Sequence, residues 1–270
     1  MCILFIYTDP SPPENGYRLI VATNRDEYYE RPTATAYHCI EENIIGGRDL
    51  QPGKEGGMWL GVSLTKTENY KLRLGTLLNV TGENRKGKGR GFIIYNYLKG
   101  NLTADAYIQS LPDEHSAYNF VTAELSENGT TIYHASNSPS GCTKFAGRQV
   151  LGFGNSTLSR PLQKVVNGRQ RFEEIVTSEE IDKDELIVKL LELLNCVQRH
   201  LPDDELQRRS PVYELLSSIF VKVDSAGYGT RAQTLIFVNY NWELEFIEVA
   251  MEDGMNVKPT WQSRNFKIQL

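Results

Sequence analysis

The segments MCILFIYT, residues 1–8, and YRLIVATNRDE, residues 17–27, decide how this chain begins to fold. Residues 2–8 form an apolar run typical of a buried strand, and residues 17–23 are typical of a second strand. The segment between them is rich in Pro, Asn and Gly, which predicts a turn. We therefore expect an antiparallel hairpin over residues 2–23.

The turn of this hairpin should also determine which residues face each other. If residues 2–8 pair with residues 17–23, the numbers of two opposite residues sum to about 25. Cys2 is therefore expected to lie near position 23. The next residues along the second strand are the NRDE sequence at 24–27. A thiol, an arginine and two carboxylates are thus predicted to converge at one end of a sheet.

Cys2 has two interpretations. A cysteine in an apolar strand can simply be a small buried hydrophobe. If Met1 is removed, however, Cys2 gains a free α-amine with a pKa of about 7.7–8.0, which can accept the thiol proton as in an N-terminal nucleophile. Arg25 would favour the thiolate, and Asp26 would hold or orient the amine. The convergence of these groups favours a functional site.

Composition narrows the class of protein. The 270 residues carry a net charge of −5, which argues against a nucleic-acid-binding surface. Four widely spaced cysteines fit free thiols in a reducing compartment. The sequence has neither the pattern of a secretory signal nor an apolar run of about 18 residues that would cross a bilayer. We expect a single domain over 1–270 in a soluble protein that is cytoplasmic or associated with an organelle.

The remaining segments alternate between strands and helices. Further strands are predicted at 57–65, 72–80, 119–125, 131–135, 148–154, 231–238 and 242–250. Helices are predicted at 91–100, at 103–111 with Thr103 as cap, from Pro161 onward, and at about 182–200. Strands and helix pairs are segregated along the chain, which predicts an α+β fold, with two stacked antiparallel sheets between helical layers as one solution.

Several motifs in order along the chain resemble a known family. These are MC at the start, then ATNRDE, GGRDL, GGMWLGV, LLNV, GNSTL and YGTRAQT. The pattern is similar to the transport and Golgi organisation protein 2 family, also called the NRDE-domain family. That resemblance implies an N-terminal nucleophile (Ntn) hydrolase-like fold with a four-layer αββα core. It also implies roles in Golgi and secretory organisation, in lipid and acyl-CoA homeostasis, and in mobilising haem from storage or mitochondrial sites.

A more distant likeness connects the pattern to bile-salt hydrolases and penicillin V acylases, in which an N-terminal Cys attacks an amide carbonyl. The likeness implies that Cys2 is the nucleophile, with Arg25 beside the thiol and Asp26 on the amine. It further implies that Asn79 donates to an oxyanion and that Asn155 and Arg231 complete the pocket. In the acylases the Asp comes three residues after the Arg. Here Asp26 follows Arg25 directly, so whether Asp26 or Glu27 faces the thiol stays open.

Two functions follow from the resemblance. The first is a binding or trafficking protein for haem or for an acyl-lipid or acyl-CoA cargo, with possible Golgi or mitochondrial association. The second is a cysteine amidohydrolase or thioesterase that acts through Cys2. Neither requires a cofactor for its chemistry; haem would be a cargo whose iron ligands the sequence does not reveal. No spacing of His and Cys predicts a metal site.

Other motifs carry less information. GENRKGKG at 82–89 has the G-x-x-x-x-G-K spacing, but Gly89 stands where a nucleotide-binding P-loop needs Ser or Thr. Its basic residues predict either a solvated loop or an anion-binding flap after Asn79. GGRDLQPGKEGG at 46–57 is expected to be a loop whose conformation depends on Asp49. The pair His38-Cys39 is expected to be an incidental pair in a loop. Trp59 is expected in the core or in a pocket wall.

Overall fold

The computed structural model describes residues 1–83, 87–178, 181–252 and 260–270. In chain order the strands are β1 Ile3–Thr8, β2 Tyr17–Tyr28, β3 Thr33–Cys39, β4 Ile44–Asp49, β5 Leu60–Ser63, β6 Leu72–Asn79, β7 Tyr118–Ser126, β8 Gly129–Asn137, β9 Ser140–Ala146, β10 Gln149–Phe153, β11 Lys222–Val223, β12 Tyr228–Asn239, β13 Glu243–Met251 and β14 Trp261–Gln269. The helices are α1 Gly91–Lys99, α2 Ala104–Ser110, α3 Gln163–Val176, α4 Lys183–Leu194, α5 Asp204–Arg209 and α6 Tyr213–Leu216, with a 3-10 turn at Asp224–Ala226.

The strands form two antiparallel sheets. The first sheet has the order β10-β1-β2-β12-β13-β14, with β11 paired to β12, and the second runs in sequence from β3 to β9. The N-terminal strand therefore lies in the same sheet as the three C-terminal strands. Within the described parts of the chain, no helix is both long enough and apolar enough to cross a bilayer.

Alternate residues of β1 belong to different cores. Leu4 and Ile6 pack between the two sheets, against residues such as Leu74 of β6. Ile3 and Phe5 point to the opposite face, where they pack with α3 and α4. Because both faces of β1 are covered, its sequence is a continuous apolar run instead of an alternating one. On the far side, α1 and α2 pack on the second sheet.

The predicted α+β class with two antiparallel sheets is confirmed, whereas the identity of the fold as an Ntn-hydrolase fold stays a prediction. The predicted strands and helices are present, with Thr103 accepting a cap bond from the Ala106 amide. The strands β3, β4, β9, β11 and β14 and the short helices α5 and α6 were not predicted. Three of them (β3, β9 and β14) are largely or partly exposed, and their mixed polar sequences carry no apolar run. The fourth helix ends at Leu194 instead of about 200.

One loop prediction is wrong for part of its residues and a second is wrong for all of them; residues 50–57 do form a loop. The residues GGRD of the 46–57 segment lie in β4, and His38 and Cys39 lie in β3. In β4 the glycines permit close packing: a Cβ at Gly47 would lie 2.4 Å from the Trp59 indole. The glycines that resemble a turn sequence here instead allow the strand β4 to pack closely against the Trp59 ring. Asp49 accepts bonds from Arg31 and from the Gln51 amide, as expected of a residue that holds the loop after β4.

The register of the first hairpin also differs from the prediction. Ile3 pairs with Asn24 and Thr8 with Leu19, so paired residue numbers sum to 27 instead of about 25. The connecting loop from residue 9 to residue 16 is longer than a tight turn, because it contains its own Pro13–Gly16 turn. In addition, β2 continues through the NRDE residues to Tyr28 and pairs there with β12. Cys2 consequently lies beside Arg25 and Asp26 within a long strand and not beside a turn after it.

Candidate functional site

The Cys2 thiol lies against the backbone of Asp26. The Asp26 amide donates to Cys2 Sγ at 3.4 Å, and Sγ lies 3.8 Å from the Asp26 carbonyl oxygen. Burial raises the pKa of the Cys2 thiol, and the nearby N-terminal ammonium opposes this shift without cancelling it. In the chain that carries Met1, Cys2 is therefore a neutral thiol at physiological pH.

Asp26, and not Glu27, faces the chain terminus. Its Oδ2 lies 3.5 Å from the Met1 ammonium, and its Oδ1 accepts a bond of 2.7 Å from Thr230 Oγ1. The Met1 ammonium also donates to the Tyr228 hydroxyl. Burial, with Asp26 as the second cause, raises the pKa of Tyr228, so this phenol stays protonated. The carboxylate of Glu27 points elsewhere and lies 3.9 Å from Arg25 Nη2.

Strand alternation separates the NRDE side chains onto two faces of the sheet. Asn24 ties β2 to the helical side through bonds to the Leu194 and Ile219 carbonyls. Arg25 points between the sheets, and its guanidinium lies 4.1 Å from the centre of the Trp59 ring. Asn24 and Arg25 are thus held by opposite sides of the molecule.

Arg231 is the extra residue of a β-bulge in β12. Thr230 pairs with Asp26 and Ala232 with Arg25, which leaves Arg231 unpaired between them. Its Nη1 donates to the carbonyls of Tyr28 at 3.0 Å and of Arg31 at 2.5 Å. Burial lowers the pKa of Arg231 to about 10, with Arg25 as the next cause. Bulges often re-aim a side chain beside a functional site, and this one binds the end of β2.

A cavity of about 230 Å³ lies on the helical side of Met1. Its wall contains Met1, Tyr28, Asn79, Thr81, Asn155, Val212, Leu216, Val223, Ala226 and Tyr228. The sulfur of Met1 accepts a bond of 2.8 Å from Thr81 Oγ1. Cys2 lines a different space of about 10 Å³ between the sheets, beside Arg25 and Trp59. The Met1–Cys2 peptide therefore separates the thiol from the larger cavity.

Two further residues implied by the resemblance, Asn79 and Asn155, meet at this cavity. The Asn155 amide nitrogen donates to the Asn79 carbonyl at 2.7 Å, while Asn155 Oδ1 is buried with no hydrogen-bond partner in the described structure. The Asn79 side chain is exposed at the end of β6. All six site residues, from Cys2 to Arg231, are thus within one region, although Arg231 contacts backbone carbonyls and not the thiol.

The sequence did not identify Lys164, Tyr228 or Thr230. Lys164 lies in the first turn of α3 and is fully buried, with its Nζ 3.0 Å from the Ser218 carbonyl and 3.4 Å from the Met1 carbonyl. The available signal was a lysine placed next to the apolar stripe of α3, which is weak because lysine stems often cover apolar surface. Thr230 and Tyr228 reach Asp26 only through the pairing of β12 with β2.

The four histidines lie away from the residues around Cys2. His38 is in β3, His115 Nδ1 donates to the Gly89 carbonyl, His134 contacts Asn119, and His200 contacts Asn167. Across the described ranges, no group of three or more His, Cys, Asp or Glu residues could hold a metal ion. For the glycine-rich segment, Arg85 and Lys86 fall outside the described residues, while Lys88 pairs with Glu114.

Comparison with known proteins agrees with the motifs. The family model described as Transport and Golgi organisation 2 matches residues 1–253. The chain is 33% identical over 280 residues to Transport and Golgi organization protein 2 of Drosophila melanogaster, which covers 99% of this chain and 98% of the relative. It is also 33% identical over 282 residues to the Homo sapiens homolog, which covers 100% of this chain and 99% of the relative. This chain therefore belongs to the Transport and Golgi organisation 2 family.

Proposed function

We propose that the protein binds an acyl cargo, such as an acyl-CoA or another acyl lipid, at the Met1 end of the first sheet. The observation that carries the proposal is a pair of adjoining cavities of different character that share Tyr28. One is the cavity of about 230 Å³, whose wall includes Val212, Leu216 and Val223. The other, of about 410 Å³, is lined by the basic residues Arg31 and Lys54 together with Tyr28, Glu30, Gln51 and Pro52.

Such a pair suits an amphiphilic anion. The apolar cavity would take the acyl chain, since burial of apolar surface is the main source of affinity for such groups. The phosphates of a CoA moiety would lie near Arg31 and Lys54, where arginine supplies a planar fork of donors. Arg31 already pairs with Asp49 at 2.6 Å, so Lys54, which is exposed, is the freer of the two charges.

Haem is the second candidate cargo, because its propionates would meet the same basic residues. Two observations favour the acyl cargo over it. Among the described residues that line the spaces beside Cys2 and Met1 there is no histidine, so an iron ligand would have to be the thiol, the Met1 sulfur or a tyrosine. The cavity of about 230 Å³ is also smaller than the usual range for small-molecule pockets, about 300–1,000 Å³. A rigid porphyrin requires more change in the site than a flexible chain does.

Titration calorimetry with octanoyl-CoA and with haemin tests the proposal. We expect saturable binding of octanoyl-CoA, weakened about two- to fivefold by Lys54→Gln, as for one exposed ion pair. Lys66→Gln is the matched control. Lys66 is exposed in the loop before β6, whereas Asn79, which lines the cavity, lies at the other end of that strand. Absence of saturable octanoyl-CoA binding would contradict the proposal, and saturable binding of haemin alone would favour haem.

A second candidate function is hydrolysis through Cys2, favoured by the contacts of its thiol with the Asp26 backbone beside the chain terminus. After loss of Met1, the Cys2 amine would take the thiol proton while sulfur bonds to the acyl carbon. The C–N or C–S bond of the substrate then breaks, and the leaving group takes the proton. Water next cleaves the acyl–sulfur bond and restores the thiol. Asn79 or Asn155 would donate to the oxyanion, where one lost donor costs about 10²–10³ in rate.

Binding ranks first because the thiol and the apolar cavity lie on opposite sides of the Met1–Cys2 peptide. Intact-mass measurement separates the two functions. Retention of Met1 would exclude the amine mechanism, because Cys2 would have no free amine. With Met1 absent, an acyl adduct on Cys2 after incubation with octanoyl-CoA, lost in Cys2→Ala, would support hydrolysis. Unchanged turnover by Cys2→Ala would contradict it.

The names of the relatives refer to transport and Golgi organisation. The proposal accordingly includes a role for acyl-cargo binding in Golgi and secretory organisation and in lipid homeostasis. We expect a chain tagged at its C-terminus to occur in the cytoplasm, with a fraction on Golgi or mitochondrial membranes. Subcellular fractionation measures this distribution, and a purely nuclear or secreted chain would contradict the expectation.

A further inference from the structure

We infer that Lys164 is the anchor for the carbonyl oxygen of the acyl ligand, and that Met1 occupies the place of that ligand in a chain that retains it. This inference rests on the proposed acyl binding and adds the residue that recognises the acyl group. Its basis is the juxtaposition of a buried lysine, the Met1 carbonyl and the cavity beside Met1.

Lys164 is a buried cation without a carboxylate partner. Its side chain is 0% exposed, and its ammonium contacts two neutral oxygens, the carbonyls of Ser218 and Met1. Within the described chain it makes no ion pair; Asp26 and Asp203 act on it only from beyond contact distance. Burial lowers the pKa of Lys164, which reflects the cost of removing its charge from water. A purely structural role would be filled at lower cost by an apolar residue of similar size.

The Met1 carbonyl presents the features of an acyl group at this lysine. Its carbon is bonded to the nitrogen of Cys2, so the carbonyl lies next to the candidate nucleophile. Its oxygen accepts from Lys164 Nζ at 3.4 Å, longer than a strong charge-assisted bond of about 2.7–2.9 Å. The attached side chain is buried and continues into the apolar cavity, where its sulfur meets Thr81. Methionine therefore fills the place of a short acyl chain that ends in a carbonyl.

The size and polarity of the cavity fit a ligand that replaces Met1. With Met1 in place, its volume is about 230 Å³, below the usual lower limit of about 300 Å³ for small-molecule pockets. Loss of Met1 adds the space of its side chain and removes one of the two oxygens that Lys164 contacts, so that the ammonium can donate to a ligand oxygen in that place. Asn155 Oδ1, buried and without a partner in the described structure, lines the same cavity and can accept from an N–H of the ligand. Lysine and asparagine thus offer one donor and one acceptor.

Two probes that differ in a single oxygen test the inference. Octanoyl-CoA has the thioester carbonyl, and S-octyl-CoA is the thioether without it. Both are titrated into chains freed of Met1, as verified by intact mass, that carry Cys2→Ala so that no acyl transfer consumes the thioester. We expect octanoyl-CoA to bind at least about tenfold more tightly than S-octyl-CoA, the size of a hydrogen bond to a charged group.

The variant Lys164→Met should remove this preference by weakening only octanoyl-CoA, because the thioether has no oxygen for the ammonium to contact. Lys189→Met is the matched control: Lys189 is partly exposed on α4, pairs with Glu185, and should leave the preference unchanged. A chain that retains Met1, made with methionine aminopeptidase inhibited, should bind octanoyl-CoA at least about tenfold more weakly, because the carbonyl site at Lys164 is filled.

The outcomes separate this inference from the proposed function. Equal affinity of the parent chain for the two probes would overturn the role of Lys164 and leave acyl binding standing. Binding of neither probe would overturn the proposed function and the inference together. If Lys164→Met does not fold, the relative affinity of the parent chain for octanoyl-CoA and S-octyl-CoA still tests whether a carbonyl oxygen is recognised. A preference that survives in a folded Lys164→Met chain would also overturn the inference.

Discussion

The two ends of β1 both open onto cavities, and they differ in what lines them. At the Tyr7 end the cavity is about 790 Å³, whereas the cavity beside Met1 is about 230 Å³. The charges at the larger cavity are exposed or paired: Asp9 lies 3.8 Å from Arg148 and accepts from the Tyr7 hydroxyl. At the Met1 end, Lys164 and Asn155 Oδ1 are buried without a charged or matching partner. The smaller cavity therefore differs from the larger one in having buried polar groups without a matching partner beside it, and volume alone does not reveal this difference.

The largest expected difference between the two ends of β1 is in how much a carboxylate at each end contributes to the free energy of unfolding. Asp26→Ala removes the carboxylate that pairs with the buried Met1 ammonium and accepts from Thr230. We expect a loss of about 3–5 kcal/mol in the free energy of unfolding, the cost of leaving a buried charge unpaired. Urea denaturation measures it. Asp9→Ala at the other end should cost less than about 1 kcal/mol, because its partner Arg148 is exposed and lies 3.8 Å away. Similar losses would remove the contrast.

Acid should destabilise the side of the site that holds Asn155. Burial lowers the pKa of His134 to about 4. Its Nε2 contacts Asn119, whose amide donates to the carbonyls of Gly154 and Ser156 on either side of Asn155. The folded pKa of His134 is below the ordinary value of about 6.5, so the unfolded chain binds a proton more readily than the folded chain. The stability from the neutral, buried His134 is therefore complete above pH 6.5 and is lost as the pH falls to 4. This loss lowers the free energy of unfolding by about 3 kcal/mol.

Urea denaturation of the parent chain and of His134→Gln at pH 7, 5.5 and 4 measures the loss of unfolding free energy that is due to His134. The variant should lose the steep part of the acid dependence between pH 6.5 and 4. His200→Gln is the comparison variant: His200 lies on the helical side and contacts Asn167. If His134→Gln and the parent chain lost stability in parallel over this range, another group would be responsible.

Close packing of β4 supports the Met1 end through Trp59. A Cβ at Gly47 would lie 2.4 Å from the Trp59 ring, which stacks under Arg25. Gly47→Ala should therefore cost about 1–3 kcal/mol, the usual range for overpacking. At Gly141 of β9 nothing lies within 4 Å of the added Cβ, so Gly141→Ala should change stability by less than about 0.5 kcal/mol. Thermal unfolding compares the two, and equal shifts would contradict the packing argument.

The smallest expected effect is on the rate at which the Cys2 thiol is alkylated. Because burial raises the pKa of Cys2, iodoacetamide should alkylate it slowly at pH 7.5 in the chain that retains Met1. Removal of Met1 should raise this rate about tenfold, because the new α-amine beside the thiol can take its proton and so increase the thiolate fraction. Exposed Cys142 serves as the internal control and should react at the same rate in both chains. Peptide mass mapping gives both rates.

The sequence predicted the first hairpin, the α+β class and the convergence of Cys2, Arg25 and Asp26, because these depend on local patterns. The six-residue apolar run of β1 requires two covered faces, and a hairpin returns the chain beside itself. Family motifs extended the prediction to Asn79, Asn155 and Arg231, which the structure brings to the same end of the molecule.

What only the tertiary structure decided is which groups face one another. The two-residue shift in hairpin register and the passage of β2 through the NRDE residues depend on the loop over 9–16 and on pairing with β12. That the Asp26 carboxylate, and not that of Glu27, faces the chain terminus follows from strand alternation combined with that pairing. Lys164 reaches Met1 from a helix more than 160 residues further along the chain, and its meaning depends on burial. No local pattern encodes such a contact, because it arises from packing of α3 on the first sheet.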